Sequence, residues 1–168
     1  TLNSLFSIDD GAWIGLQESE RKIFKSMLKL KQPGYGSRLD SHINDLKYST
    51  FFLKDAIVAS KIVSAWDATN HKRCPSILEI GPGLGGLMYV LRSYYGSEAR
   101  TYLVDLPYNL CLQEWFLSKE FPSLSKNSVL YPSEIQSLED RNQMNFISAN
   151  LFADKIFDIK NLNFYNTQ

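Results

Sequence analysis

Cysteine is scarce in this chain: Cys74 and Cys111 are the only two in 168 residues. Two thiols make no disulfide framework, and no cluster of metal-ligating residues surrounds them. A reducing, cytoplasmic setting without a metal centre is therefore expected. Histidine is equally rare, with His42 and His71 alone. Net charge is absent: Lys plus Arg number 18 and Asp plus Glu number 18. That balance argues against a bulk electrostatic grip on nucleic acid or on an anionic membrane. No apolar stretch approaches the roughly 20 residues that span a bilayer. Residues 1–10 lack the basic start and apolar run of a signal peptide. They also lack an initiating Met, so a processed or partial chain is expected. Neither repeats nor low-complexity tracts occur. What is present is ordinary for a globular domain: 44% hydrophobic and 21% charged residues, in a chain long enough for a core.

The first part, residues 1–72, reads as a helical cap region. Asp9 or Asp10 can cap a helix towards Leu30, with Trp13, Leu16, Ile23, Phe24, Met27 and Leu28 at helical spacings. Pro33-Gly34-Tyr35-Gly36-Ser37 breaks it. A second helix is expected from Ser49 to Asp67, capped by Ser49 or Thr50. Phe52, Ala56, Ala59, Ile62, Val63 and Trp66 form its apolar face.

The character changes after Pro75, and residues 73–168 read as α/β. Ile77 to Ile80 form a short apolar run that stops at Gly81-Pro82-Gly83-Leu84-Gly85-Gly86. Leu87 to Tyr95 is helix-like. Thr101 to Asp105 is a second β-rich run, and Leu110 to Phe121 a further helix. Strand, glycine loop, helix, strand, helix is the order of a parallel sheet with crossover helices. Residues 123–140 read as a long loop, with a short helix around 133–138. Residues 144–148 and 162–166 read as a third and a fourth strand. A doubly wound domain has more strands, so an incomplete parallel sheet of about four is expected.

The glycine loop carries the functional argument. A glycine-rich turn between a strand and a helix lets the main chain approach a ligand with no Cβ in the way. Asp105, at the end of the next strand, is placed to accept both ribose hydroxyls. Together they point to an adenosine-type ligand. Glycine spacing leaves its identity open. Gly81, Gly83 and Gly86 fit a dinucleotide loop, whereas Gly81, Gly83 and Gly85 fit S-adenosylmethionine enzymes. Glu79 tilts the choice. On a strand expected to be buried on both faces, its carboxylate needs partners, and it suits a cationic methionine end better than a pyrophosphate.

The run Ile77 to Leu87 resembles the first motif of class I S-adenosylmethionine-dependent methyltransferases. Tyr102-Leu103-Val104-Asp105-Leu106-Pro107, followed by Asn109-Leu110, Gln113 and Leu117-Ser118, is more specific. It resembles the bacterial sugar O-methyltransferase family. Residues 145–149 and 163–167 are similar to that family's third and fourth strands. The resemblance spans about residues 75–168 and implies a Rossmann-like class I methyltransferase fold with S-adenosylmethionine as cofactor. It implies that Gly81, Gly83 and Gly85 line the methionine part, with Glu79 beneath. Gly86 would permit close helix–strand packing. Asp105 would hold the ribose, Leu106 would pack on the adenine, and Ala149 and Asn150 would meet the adenine edge. Thr167 and Gln168 would lie beside the methyl group.

The family's Ser-Phe-x-Glu-Met-like segment, which borders the acceptor, does not follow here, so no catalytic residue carries over. The implied acceptor is a small molecule or glycan precursor bearing a hydroxyl, whose proton a base or a metal would have to take or weaken. His42 and His71 are read as surface groups ahead of that role, and Tyr48 and Arg38 as packing or surface residues ahead of cofactor contacts. Trp13, Trp66 and Trp115 read as core or interface, and exposed faces among them would favour homo-oligomers. Two other readings stay open: an NAD-type dehydrogenase domain, and a non-catalytic scaffold or binding module.

Overall fold

The computed structural model describes residues 15–34, 41–43, 46–69, 75–96, 99–129 and 143–151. It divides into two compact units, residues 1–72 and residues 73–168.

In the first unit, α1 (Glu18–Met27) packs on α2 (Thr50–Ala68). Phe24 and Met27 of α1 are buried, as are Phe52, Leu53, Ala56, Ala59, Val63 and Trp66 of α2. The helix expected from Asp9 or Asp10 starts at Glu18 in the described chain. Gly15, at φ +88°, stands outside helical backbone, and the Glu20 carboxylate accepts the Gln17 N–H at 2.7 Å. Asp9, Asp10 and Trp13 lie outside the described residues. The start of α2 is the one expected, with the Ser49 hydroxyl accepting the Phe52 N–H at 3.4 Å.

Between the helices lies an antiparallel pair, β1 (Ser41–Ile43) and β2 (Leu46–Tyr48), which the sequence reading did not foresee. Three-residue strands are too short to show an alternating pattern. Gln32 ties the preceding turn to this ribbon: its Nε2 donates to Lys47 O at 2.7 Å, and its Oε1 accepts the Ser49 N–H at 2.9 Å. Tyr48 is buried, stacks on Phe52 and donates to Leu28 O at 3.3 Å. That is the packing role expected of it.

Asp55 on α2 gives this unit a pH response. Burial pushes its carboxyl up to about 6, against the lowering influence of Lys54. As pH falls through about 6, the folded state takes up this proton before the unfolded chain does. Stability therefore rises with acidification and levels off below the ordinary value of 3.8. The group's contribution is on the order of 3 kcal/mol between those limits. Urea unfolding at about pH 4.5 and about pH 7.5 should show D55N more stable than the native chain at the higher pH, with a flatter dependence. Equal pH slopes for the two proteins would refute the assignment.

The second unit is mixed α/β, compatible with a Rossmann-like fold. Its elements are β3 (Ser76–Ile80), α3 (Gly86–Tyr95), β4 (Arg100–Asp105), α4 (Pro107–Glu120), β5 (Ser125–Val129) and β6 (Gln143–Ser148). The four strands form one parallel sheet in the order β3-β4-β6-β5. Residues 101–105 of β4 and 144–148 of β6 are buried throughout, as interior parallel strands require. Met88, Val90 and Leu91 of α3 and Leu110, Phe116 and Leu117 of α4 complete the core. Arg92 is buried and donates to the Ala99 carbonyl, which fastens α3 to the approach of β4.

Two expectations about the sheet are corrected. The described fourth strand is β5, inside the stretch read as a loop. Ser-Lys-Asn-Ser-Val carries weak strand propensity, and pairing with β6 alone makes it a strand. Residues 133–138 and 162–166 lie outside the described residues. The second correction is β3, expected to be buried on both faces. Residues 76–79 are half-buried and Ile80 is 63% exposed. Among the described residues β3 has one neighbour, β4, so its outer flank is uncovered.

Candidate functional site

The chemistry-bearing residues of the second unit converge at the carboxyl ends of β3, β4 and β6. After Ile80 the chain turns through Gly81 (φ +69°), Gly83 (φ +58°) and Gly85 (φ +90°) before entering α3. A left-handed backbone at these positions demands glycine. The Gly81 N–H donates to Val104 O at 2.9 Å, which extends the β3–β4 ladder into the loop beside Asp105. The Gly85 N–H closes the turn on Pro82 O at 2.8 Å.

The glycines serve different ends. Among the described residues, a Cβ at Gly81 or Gly83 would meet no atom within 4 Å, so the main chain there borders open space. A Cβ at Gly85 would come within 3.3 Å of Leu117 Cδ1 and 3.8 Å of Leu103 Cδ2. Close packing was expected of Gly86, the first residue of α3. Gly85 itself makes a close approach to Leu117, and its carbonyl accepts the first helical bond from the Tyr89 N–H.

Asp105 ends β4 and is 9% exposed. Its Oδ1 accepts the Leu106 N–H at 2.7 Å and Asn109 Nδ2 at 2.8 Å. Its Oδ2 accepts Gln113 Nε2 at 2.8 Å. The same Gln113 nitrogen donates to Gly83 O at 2.9 Å. The glycine loop and the strand-end carboxylate therefore lie within reach of one buried amide. Pro107 at the first turn of α4 sets the helix directly after the strand. Asn109 and Gln113 then lie four apart on one face of α4, and Asp105 stands four residues before Asn109. That spacing was the available signal for roles that the sequence reading did not assign to Asn109 and Gln113.

The other residues expected at the site fall around this centre. Glu79 is half-buried on β3 and lies in register with Leu103. Ile80, Leu84 and Leu106 are exposed at 63%, 39% and 56%, all at the same end of two adjacent strands. Ser148 pairs with Asp105 across β4 and β6, so half-buried Ala149 and exposed Asn150 leave the sheet at that same end. His71, Arg38, Thr167 and Gln168 lie outside the described residues, and of His42 only its place in β1 is described. Among the described residues no group of three His, Cys, Asp or Glu could hold a metal ion. Nor does any described helix have the length and apolarity to cross a membrane.

Chemically, the arrangement offers exposed main chain without side-chain obstruction, apolar side chains, and a carboxylate held by fixed donors. Those features suit a ligand with an apolar ring and hydroxyl donors. No family model, curated protein or solved structure matches the chain.

Proposed function

We propose that this chain binds S-adenosylmethionine at the carboxyl ends of β3 and β4 and serves methyl transfer to a hydroxyl of a sugar or glycan precursor. The observation that carries this reading is the Gly83–Gln113–Asp105 network, which draws the glycine bend and the strand-end acid to one place. In open α/β sheets ligands lie outside the carboxyl ends of the strands. The residues present suit the cofactor. Open space at Gly81 and Gly83 admits close approach of its methionine part. Asp105 retains acceptor capacity for the ribose, and exposed Leu106 offers an apolar surface to the adenine. Glu79 adds negative charge near the cationic end. Ala149 and Asn150 are assigned to the adenine edge.

The bound cofactor supplies a methyl group on a positively charged sulfur. The chain's part is to hold the nucleoside and fix its direction, because in-line displacement depends on alignment. Its fixed hydrogen bonds are formed before the ligand arrives, which lowers the ordering cost of binding.

Isothermal titration with S-adenosylhomocysteine tests the reading. Saturable binding is expected, and G83V should abolish it, since a branched side chain would occupy the open space that the main chain borders. Saturable binding of NADH in its place would favour a dehydrogenase domain. Binding of neither ligand would leave a scaffold and refute the proposal.

A further inference from the structure

Gln113 is uncharged, 0% exposed and lies in the middle of the candidate site. Its contacts define its purpose. Both amide hydrogens are committed, one to Gly83 O and one to Asp105 Oδ2. Its Oε1 is buried and has no hydrogen-bond partner among the described residues. Rotating the amide by half a turn would set Oε1 against two acceptor oxygens, so the neighbours themselves dictate the orientation. A buried amide that leaves its own carbonyl unsatisfied while bridging two other groups is placed for the sake of those groups.

The consequence concerns Asp105. An ionised carboxylate has about four acceptor positions, two on each oxygen. Leu106 N–H and Asn109 occupy both positions on Oδ1, and Gln113 occupies one on Oδ2. Among the described residues, these bonds leave a single position. A grip on both ribose hydroxyls, as expected from the sequence, would need two positions.

We infer that Gln113 is a positioning residue that locks the glycine loop to Asp105 and leaves that carboxylate able to accept only one of the two ribose hydroxyls. The inference rests on the nucleoside reading above and deepens it: the site discriminates between ligands that differ at one hydroxyl. The Oε1 of Gln113 takes no part, because it is sealed from the ligand's side as from solvent.

The test compares S-adenosylhomocysteine with its 2′-deoxy and 3′-deoxy analogues by titration calorimetry on the full chain. Loss of the hydroxyl that meets Asp105 should weaken binding about 10- to 100-fold, the usual worth of a hydrogen bond to a charged group. Loss of the other should weaken it by less than about threefold, as expected of a solvated hydroxyl. In Q113M, which keeps the volume and removes both donors, the gap between the analogues should close to within about threefold, because Oδ2 regains a position. A merely structural glutamine would lower affinity for all three ligands together and preserve the gap. Comparable losses for both analogues on the native chain would overturn the inference while leaving the cofactor reading intact. The native comparison needs no variant, so a poorly folded Q113M does not rescue the idea. Failure of S-adenosylhomocysteine itself to bind would overturn the cofactor reading, and this inference with it.

Discussion

Replacing Asp105 with alanine should both abolish nucleoside binding and destabilise the second unit by about 2–4 kcal/mol, the size expected when a nearly buried charged acceptor is taken from several donors. The carboxylate faces the Leu106 N–H, Asn109 Nδ2 and Gln113 Nε2. All three are donors, and alanine would leave them facing an apolar methyl. Asparagine does not repair the site. It has one acceptor oxygen and an NH₂ group, and whichever way the amide turns, that NH₂ meets a donor. D105N should therefore also lose stability, by about 1–3 kcal/mol. Urea unfolding followed by circular dichroism supplies the stability, and calorimetric titration the binding. A D105A protein within about 0.5 kcal/mol of the native chain, the scatter of ordinary surface changes, would show the network to be incidental.

The second large effect is expected at Gly85. G85A must hold a non-glycine residue at φ +90° and set its Cβ within 3.3 Å of Leu117 Cδ1. Left-handed backbone costs about 1–2 kcal/mol for such a residue, and overpacking against the core adds about 1–3 kcal/mol. G81A and G83A bear only the backbone cost, since their Cβ atoms meet open space. The ranking should invert for ligand binding, where G83A loses affinity while costing less stability than G85A. Combining G85A with L117A separates the two costs at Gly85. Removing the Leu117 side chain should recover the packing part, and a positive coupling in the double-mutant cycle would show it. Additive losses in that cycle would mean that the contact with Leu117 has no energetic consequence.

Legibility followed the strength of local signals. The helix from Thr50 was readable because Ser49 is a good cap and a long apolar face follows it. β3, the glycine turn and β4 were readable because short apolar runs are punctuated by Gly and Pro. Strand β5 was not, because Ser-Lys-Asn-Ser-Val has no apolar alternation and owes its conformation to β6. The burial of β3 was overestimated because a parallel strand is expected to be covered on both faces, whereas residues 76–79 are half-buried and Ile80 is exposed. At the site, Asp105 and the glycines stood out by residue type. Gln113 did not, because a glutamine within a helix is ordinary until its partners are known.

By itself the sequence determined the run from β3 through the glycine turn to α4, and an acid at the end of the neighbouring strand, because backbone freedom, capping and turn chemistry act over a few residues. Only the tertiary structure decided how strands β3, β4, β6 and β5 are ordered. It alone brought Gly85 against Leu117 and gathered the donors of Leu106, Asn109 and Gln113 on Asp105. The reason is physical: packing distance and hydrogen-bond saturation depend on which groups from distant parts of the chain arrive at the same point, and no local pattern carries that information.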